Sequence, residues 1–71
     1  MTFKKFNSST LGSMTYDEEK NLLSMAFKRG AVYRYFDVPQ GIVDELINAE
    51  SAGKYFNANI AKVFKYEKAG G

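Results

Sequence analysis

The chain of 71 residues contains no cysteine, no histidine and no tryptophan, and it has a single proline. Without cysteine it can form no disulfide and has no thiol nucleophile. Without cysteine and histidine it also lacks the usual zinc ligands and the usual general base. Carboxylates, lysines, tyrosines and serines are the remaining candidates for catalysis, and they form no convergent set. We therefore predict that the chain is not an enzyme and that it holds no metal and no cofactor.

The sequence also lacks a long apolar run. No segment approaches the length of about 18 apolar residues that a transmembrane helix needs. The N-terminal residues 1–6 are basic, but polar residues follow at 7–10 instead of the apolar centre of a signal peptide. We expect a cytoplasmic protein that makes no contact with membranes.

Hydrophobic residues make up 45% of the chain, a fraction typical of globular proteins. Its length allows one domain with one small core. We place this domain at residues 9–66. Residues 1–8 and 67–71 are expected to be flexible ends.

The formal net charge is only +2, but the charges are unevenly distributed. Residues 28–36 carry three basic and no acidic residues, whereas residues 37–50 carry four acidic and no basic residues. Residues 51–71 carry four lysines and one glutamate. We therefore expect a basic side and an acidic side on the folded molecule.

Three segments alternate in polarity as half-buried β-strands do. They are residues 9–16, 21–28 and 30–36. In the first segment one face would carry Thr10, Gly12, Met14 and Tyr16, and in the second Leu23, Met25 and Phe27 share a face. The short connections between the segments indicate an antiparallel meander.

Tyr33 and Tyr35 share one face of the third strand, and Arg34 points to the other. If the tyrosine face is exposed, it is a platform on which the bases of single-stranded nucleic acid stack. If it is buried, it is the middle of the core. The hairpin loop before this strand decides between the two, because register and facing are linked.

A three-residue loop at 28–30, with Gly30 in the left-handed conformation, pairs Met25 with Tyr33 and brings the tyrosines to the apolar face. A two-residue Arg29-Gly30 turn pairs Met25 with Arg34 instead. We favour the three-residue loop, because a type I′ turn requires positive φ at both central residues and arginine adopts it poorly.

Two helices are predicted after the strands. Pro39 suits a first helical position, and apolar residues at helical spacing extend the first helix to Ala49. Ser51 can cap a second helix, whose apolar positions are Phe56, Ile60, Val63 and Phe64. On this helix Lys54, Lys62 and Lys65 would form a basic stripe. The predicted fold is α+β, a three-stranded antiparallel meander followed by two helices packed on one face (βββαα).

The sequence resembles the KTSC domain family. The residues that carry the resemblance are Ser9, Tyr16-Asp17, Leu23-x-Met25-x-Phe27-x-x-Gly30, Tyr33-Arg34-Tyr35, Val38-Pro39 and Ala49-x-Ser51-x-Gly53-x-Tyr55-Phe56-Asn57-x-x-Ile60. The family occurs at the C-terminus of some lysyl-tRNA synthetases and as small stand-alone bacterial or phage-type proteins. The resemblance implies RNA as a partner and no aminoacylation, since the synthetase catalytic domain is absent. Thr15 stands where the family tends to have glycine.

We predict RNA or tRNA binding through a basic surface that comprises Lys28, Arg29, Arg34, Lys54, Lys62 and Lys65. The aromatic residues Tyr33, Tyr35 and Phe36 are interpreted as core or as stacking rings. Asn57 would bond a neighbouring loop or a ligand, and we favour the first. The alternative function is a protein-interaction module that uses the exposed sheet face at Val32, Arg34 and Phe36 or the acidic first helix.

Overall fold

The computed structural model describes residues 1–70; Gly71, the last residue of the predicted flexible end, lies outside the described residues. These residues form five strands and two helices, so the predicted α+β class is confirmed. The elements are β1 (Thr2–Lys5), β2 (Leu11–Asp17), β3 (Leu22–Phe27), β4 (Val32–Tyr35), α1 (Gln40–Asn48), α2 (Ala52–Asn59) and β5 (Tyr66–Gly70).

The strands form one sheet in the order β1-β2-β3-β4-β5, and all neighbours are antiparallel. The predicted three-stranded meander is therefore wrong in strand number. β1 and β5 are edge strands formed by residues 2–5 and 66–70, which the sequence pattern left outside the meander. Both are short and rich in lysine, glycine or alanine, so backbone pairing with β2 and β4 holds them, not an apolar pattern of their own.

The N-terminus is tied to the β2–β3 turn. The ammonium group of Met1 donates a hydrogen bond to the Glu18 carboxylate at 2.5 Å. This bond raises the pKa of the ammonium group and lowers the pKa of the Glu18 carboxyl. It supports the alignment of β1 against β2.

The β3–β4 hairpin has the predicted three-residue loop. Gly30 has φ of 103°, and the Phe27 amide donates to the Ala31 carbonyl at 2.8 Å. The register that follows pairs Met25 with Tyr33 and Leu23 with Tyr35. The two tyrosines of β4 therefore share the face of the sheet that carries the core, as the loop chemistry predicted.

β2 begins with an irregularity that the sequence pattern did not predict. The register shifts between Leu11 and Ser13, so Leu11 is buried whereas Thr10 is exposed. Gly12 lies within the shift, and an added Cβ there would come within 2.9 Å of the Ala26 carbonyl oxygen. A residue without a side chain therefore fits this close approach, and the predicted core face of the first strand holds only from Met14 onwards.

α1 agrees with its prediction to within one residue. Pro39 is the N-cap, with φ of −68°, and the helix buries Val43 and Leu46. The capping role of Ser51 in α2 is also confirmed, because its side chain accepts a hydrogen bond from the Lys54 amide at 3.4 Å.

α2 is shorter than predicted. It ends at Asn59, and the next residue, Ile60, departs from helical geometry with φ of −123°. Val63, expected on the buried face of this helix, is 63% exposed. Lys62 and Lys65 follow the helix, so the predicted basic stripe does not exist. Apolar residues at helical spacing continue in the sequence after Asn59, but Phe56 and Ile60 are the ones that the core buries.

Candidate functional site

A pocket of about 440 Å³ lies where the β3–β4 hairpin meets α2 and the edge strand β5. We call it the aromatic pocket. Its aromatic lining consists of Phe27, Tyr33, Tyr35, Phe56 and Tyr66, and the rest of the lining consists of Ser9, Thr10, Lys28, Arg29, Asn57 and Ala61. The lining includes two basic residues and, within residues 1–70, no acidic one.

The sheet register brings the pocket tyrosines together. Tyr33 and Tyr35 share a face of β4 because side chains alternate along a strand. Tyr66 is the direct cross-strand neighbour of Tyr35 on β5, so it lies on the same face. Phe56, the buried residue of α2, lines the pocket on the side of this helix.

The Tyr33 ring lies roughly parallel to the rings of Tyr66 and Tyr35, whereas the rings of Tyr35 and Tyr66 are tilted by 36°. The ring centroids of Tyr33 and Tyr66 are 5.5 Å apart with an interplanar angle of 23°, and those of Tyr33 and Tyr35 are 6.5 Å apart with an angle of 24°. Phe56 stands edge-on to Tyr35 at 5.3 Å, and Phe27 stands edge-on to Tyr33 at 5.7 Å. These contacts fix the rings before any ligand arrives.

Exposure increases along the pocket from Tyr35 to Tyr66. Tyr35 is 3% exposed, Tyr33 is half-buried and Tyr66 is 53% exposed. Tyr33 and Tyr66 are therefore the pocket tyrosines whose rings a flat ligand can reach. Tyr33 is a predicted site residue, whereas Tyr66 is not, although the Tyr66-Glu67-Lys68 alternation is a weak strand signal.

Burial raises the pKa of Tyr35 to about 12, and the neighbouring Tyr66 and Tyr33 add to the effect. Its hydroxyl therefore stays protonated at neutral pH. This hydroxyl makes no hydrogen bond within residues 1–70. Every fully enclosed side-chain polar atom of these residues does have a partner, so the hydroxyl is not enclosed, and Tyr35 lines the aromatic pocket. It follows that the Tyr35 hydroxyl opens into the aromatic pocket.

Cations lie at the hairpin end of the pocket. Lys28 and Arg29 belong to the three-residue loop, and the Arg29 guanidinium carbon is 5.7 Å from the centroid of the Phe27 ring. This distance is typical of a cation–π contact, which orients the guanidinium. Lys68 is the cross-strand neighbour of Tyr33 on β5, so it adds a cation to the pocket face of the sheet.

The structure brings together only part of the predicted basic surface. Arg34 lies on the opposite face of the sheet and pairs with Glu67 at 2.7 Å. The remaining predicted cations, which line no part of the aromatic pocket, are Lys54 in α2, Lys62 after it and Lys65 before β5. Phe36 is half-buried after the end of β4 and also lies outside the pocket lining.

Residues 1–70 contain no helix long and apolar enough to cross a membrane. Nor do they gather three metal-binding side chains of the histidine, cysteine or carboxylate type at one place.

These features define a class of small α+β domain: a five-stranded antiparallel meander with two helices and an aromatic pocket between α2 and the last strand. The model of the KTSC domain family matches residues 7–64. The chain belongs to the KTSC domain family. The solved structure of a KTSC domain protein from Yersinia pestis matches it with a TM-score of 0.89, 28% identity and coverage of 97% of both chains.

Two kinds of relative match the sequence. One is an uncharacterized protein of Stutzerimonas stutzeri, 45% identical over 58 residues that make up 82% of this chain and 76% of that protein. The other is the lysine–tRNA ligase of Nostoc punctiforme, 36% identical over 64 residues, 90% of this chain but 11% of the ligase. The chain therefore corresponds to about a tenth of the ligase and to most of the stand-alone protein.

Proposed function

We propose that this domain is a non-catalytic accessory module that binds unpaired RNA, with the aromatic pocket as its binding site. The observation that carries the proposal is the combination of accessible, parallel tyrosine rings with a basic hairpin and no acidic lining. Of the predicted basic surface, Lys28 and Arg29 line the same pocket as the predicted aromatic residues Tyr33 and Tyr35, which supports the proposal.

Stacking supplies the first part of the binding free energy. Tyr66 and Tyr33 present aromatic rings at the open side of the pocket. A base that stacks on such a ring contributes about 1–3 kcal/mol, independent of its identity. A paired base in a duplex does not expose its face, so the pocket suits single strands, loops and ends.

Charge supplies the second part. Lys28 and Arg29 flank the pocket at the hairpin, and Lys68 lies on the same face of the sheet. Phosphates of a strand whose base occupies the pocket would lie near these cations, and their binding would release counterions. Arg34, Lys54, Lys62 and Lys65 lie outside the pocket, so we assign them a weaker, long-range contribution.

The relatives support RNA as the partner. Several lysine–tRNA ligases contain a segment similar to this chain, and the name of those enzymes states that they act with tRNA. A module joined to such an enzyme is well placed to contact an RNA strand. No part of the proposal assigns aminoacylation to this chain.

Fluorescence anisotropy with labelled single-stranded RNA and with tRNA tests the proposal. We expect binding that weakens as salt rises and that falls in the double variant Lys28→Ala/Arg29→Ala. The control, Lys54→Ala/Lys62→Ala, removes the same charge away from the pocket and should bind nearly as the unmodified protein does. Absence of binding to both RNAs at high micromolar protein and low salt would contradict the proposal.

A second candidate is a protein-interaction module that uses the uncovered face of the sheet. Phe3 on β1 is 67% exposed, and the register places it in the same cross-strand row as Arg34. The pairing of Arg34 with Glu67 makes this face less basic than expected, which favours an uncharged contact. A partner that withstands raised salt and is lost in Phe3→Ser would favour this candidate.

A further inference from the structure

We infer that the Tyr35 hydroxyl bonds the edge of one unpaired base in the aromatic pocket, so that the module selects which base it takes. The inference rests on the proposed RNA binding and goes beyond it, since stacking and charge alone do not distinguish bases. It assigns separate tasks to two tyrosines of the pocket. Tyr66 stacks, and Tyr35 discriminates.

The first support is the unusual state of Tyr35. The residue as a whole is only 3% exposed, yet its hydroxyl has no hydrogen-bond partner among residues 1–70 and is therefore not enclosed, since every enclosed side-chain polar atom there has a partner. Buried tyrosine hydroxyls normally find a partner within the protein. Because the Tyr35 hydroxyl opens into the pocket, its partner comes from whatever fills the pocket.

Tyr16 is a second buried tyrosine of the same core, and its hydroxyl is bonded within the protein. It is 0% exposed, and its hydroxyl donates to the Val38 carbonyl at 2.6 Å and lies 3.1 Å from the Asn21 side-chain oxygen. The fold therefore satisfies one buried tyrosine completely and leaves the other open towards the pocket.

Asn57, an exposed residue of α2, is a second polar group at the pocket without a partner in the described chain. The neighbouring asparagine of α2, Asn59, donates its amide to the Tyr55 carbonyl one turn back at 3.2 Å, and Asn48 of α1 does the same with Asp44 at 2.9 Å. Asn57 makes no such bond and lines the pocket instead. A hydroxyl and an amide both donate and accept, as the edges of bases do.

The pocket is large enough for a single base or nucleotide. Its volume of about 440 Å³ lies within the range of about 300–1,000 Å³ that small-molecule sites occupy. The neutral polar groups are on β4 and α2, whereas the cations are in the hairpin loop. A phosphate at the rim and a base edge at Tyr35 and Asn57 would use both sets.

Labelled RNA hexamers of adenosine, cytidine and uridine, together with a hexamer without bases, test the inference by fluorescence anisotropy. We expect the affinities of the three base-containing hexamers to differ by about fivefold or more, which is the contribution of about one net hydrogen bond. In Tyr35→Phe this difference should shrink to less than about twofold, while the affinity for the hexamer without bases stays unchanged.

Tyr55→Phe is the matched control. It also removes one tyrosine hydroxyl, but this hydroxyl bonds Glu45 at 3.2 Å and lies outside the pocket lining. We expect Tyr55→Phe to keep the base preference of the unmodified protein. A thermal melt of Tyr35→Phe should show a folded protein, because the substitution breaks no bond within the described chain.

The outcomes separate the two proposals. If the hexamers bind with equal affinity, or if Tyr35→Phe keeps the base preference, base selection by Tyr35 is wrong and RNA binding stands. If no hexamer binds at low salt, RNA binding and base selection are both wrong. A preference that only Tyr35→Phe removes supports both.

Discussion

One row of side chains crosses the core face of the sheet from β2 to β5, and its two ends differ. Cross-strand pairing joins Tyr16 to Leu23, Leu23 to Tyr35 and Tyr35 to Tyr66. Their exposed fractions are 0%, 0%, 3% and 53%. We call the β2–β3 end the closed end and the β4–β5 end the open end.

The difference between the ends follows from how far the helical layer reaches. Val43 and Leu46 of α1 and Val38, just before this helix, are fully buried. The Val38 carbonyl also accepts a hydrogen bond from the Tyr16 hydroxyl. At the open end α2 stops at Asn59 and leaves Tyr66 uncovered. The tyrosines of one row therefore differ in their surroundings: Tyr16 is enclosed and bonds the Val38 carbonyl, whereas Tyr66 is half exposed at the edge of the aromatic pocket.

The largest effect is expected at the closed end. Leu46→Ala removes a side chain with 0% exposure and should lower the free energy of unfolding by about 2–5 kcal/mol. Urea denaturation followed by circular dichroism measures this loss. A loss below about 0.5 kcal/mol would show that α1 is not packed as described.

Tyr66→Ala probes the open end. It should weaken RNA binding by about 1–3 kcal/mol, the contribution of one stacked base, and lower the free energy of unfolding by less than Leu46→Ala does, because the ring is half exposed. Anisotropy and urea denaturation of the same sample check both parts. A large loss of stability with intact binding would reverse the contrast between the two ends.

The pair Tyr16→Phe and Tyr35→Phe compares the two hydroxyls directly. Tyr16→Phe leaves the buried Val38 carbonyl without its donor and should cost about 1–3 kcal/mol. Tyr35→Phe breaks no bond within residues 1–70 and should cost less than about 0.5 kcal/mol. Equal losses in thermal or urea denaturation would mean that Tyr35 has a protein partner after all.

Alkaline pH should affect the open end through Tyr35. Its pKa rises from 10.0 to about 12 on folding, so the folded state resists ionisation and stability is lost as pH increases between these values. Burial also raises the pKa of Tyr16, so part of the loss remains in Tyr35→Phe. Tyrosinate absorbance should include a component that titrates near pH 12 and that Tyr35→Phe removes.

The smallest effect is expected on the face opposite the helices. The Arg34–Glu67 pair is about half exposed, with side-chain exposures of 45% and 52%. Solvent-exposed pairs contribute about 0–1 kcal/mol, so Arg34→Ala should change stability by no more than this. It should also reduce RNA affinity less than Lys28→Ala/Arg29→Ala does, as measured by anisotropy.

The sequence predicted the features that local chemistry determines. The 28–30 loop required a residue with positive φ, and Gly30 fixed the register that turns Tyr33 and Tyr35 inward. Periodicity located α1, and Ser51 marked the start of α2. The resemblance to the KTSC family, stated from short motifs, is confirmed by the match over residues 7–64.

The features that the sequence did not predict depend on contacts between distant residues. β1 and β5 have no apolar pattern and exist because β2 and β4 offer free edges. The pocket includes Tyr66, which pairs with Tyr35 although both helices lie between these two residues in the chain. Lys62 and Lys65 lie after α2 and not on it, contrary to the prediction, because a helical pattern in the sequence does not indicate where the core ends.

The position of β5 has a consequence for how the pocket opens. β5 is paired on one side only, and about thirty residues separate Tyr66 from its neighbour Tyr35, so its pairing closes a long loop and is a candidate for early local unfolding. Fraying of this strand would carry Tyr66 out of the pocket while β1–β4 stay folded. Amide hydrogen exchange in β5 would then slow when RNA binds, and the affinity for RNA would depend on how firmly one edge strand is closed.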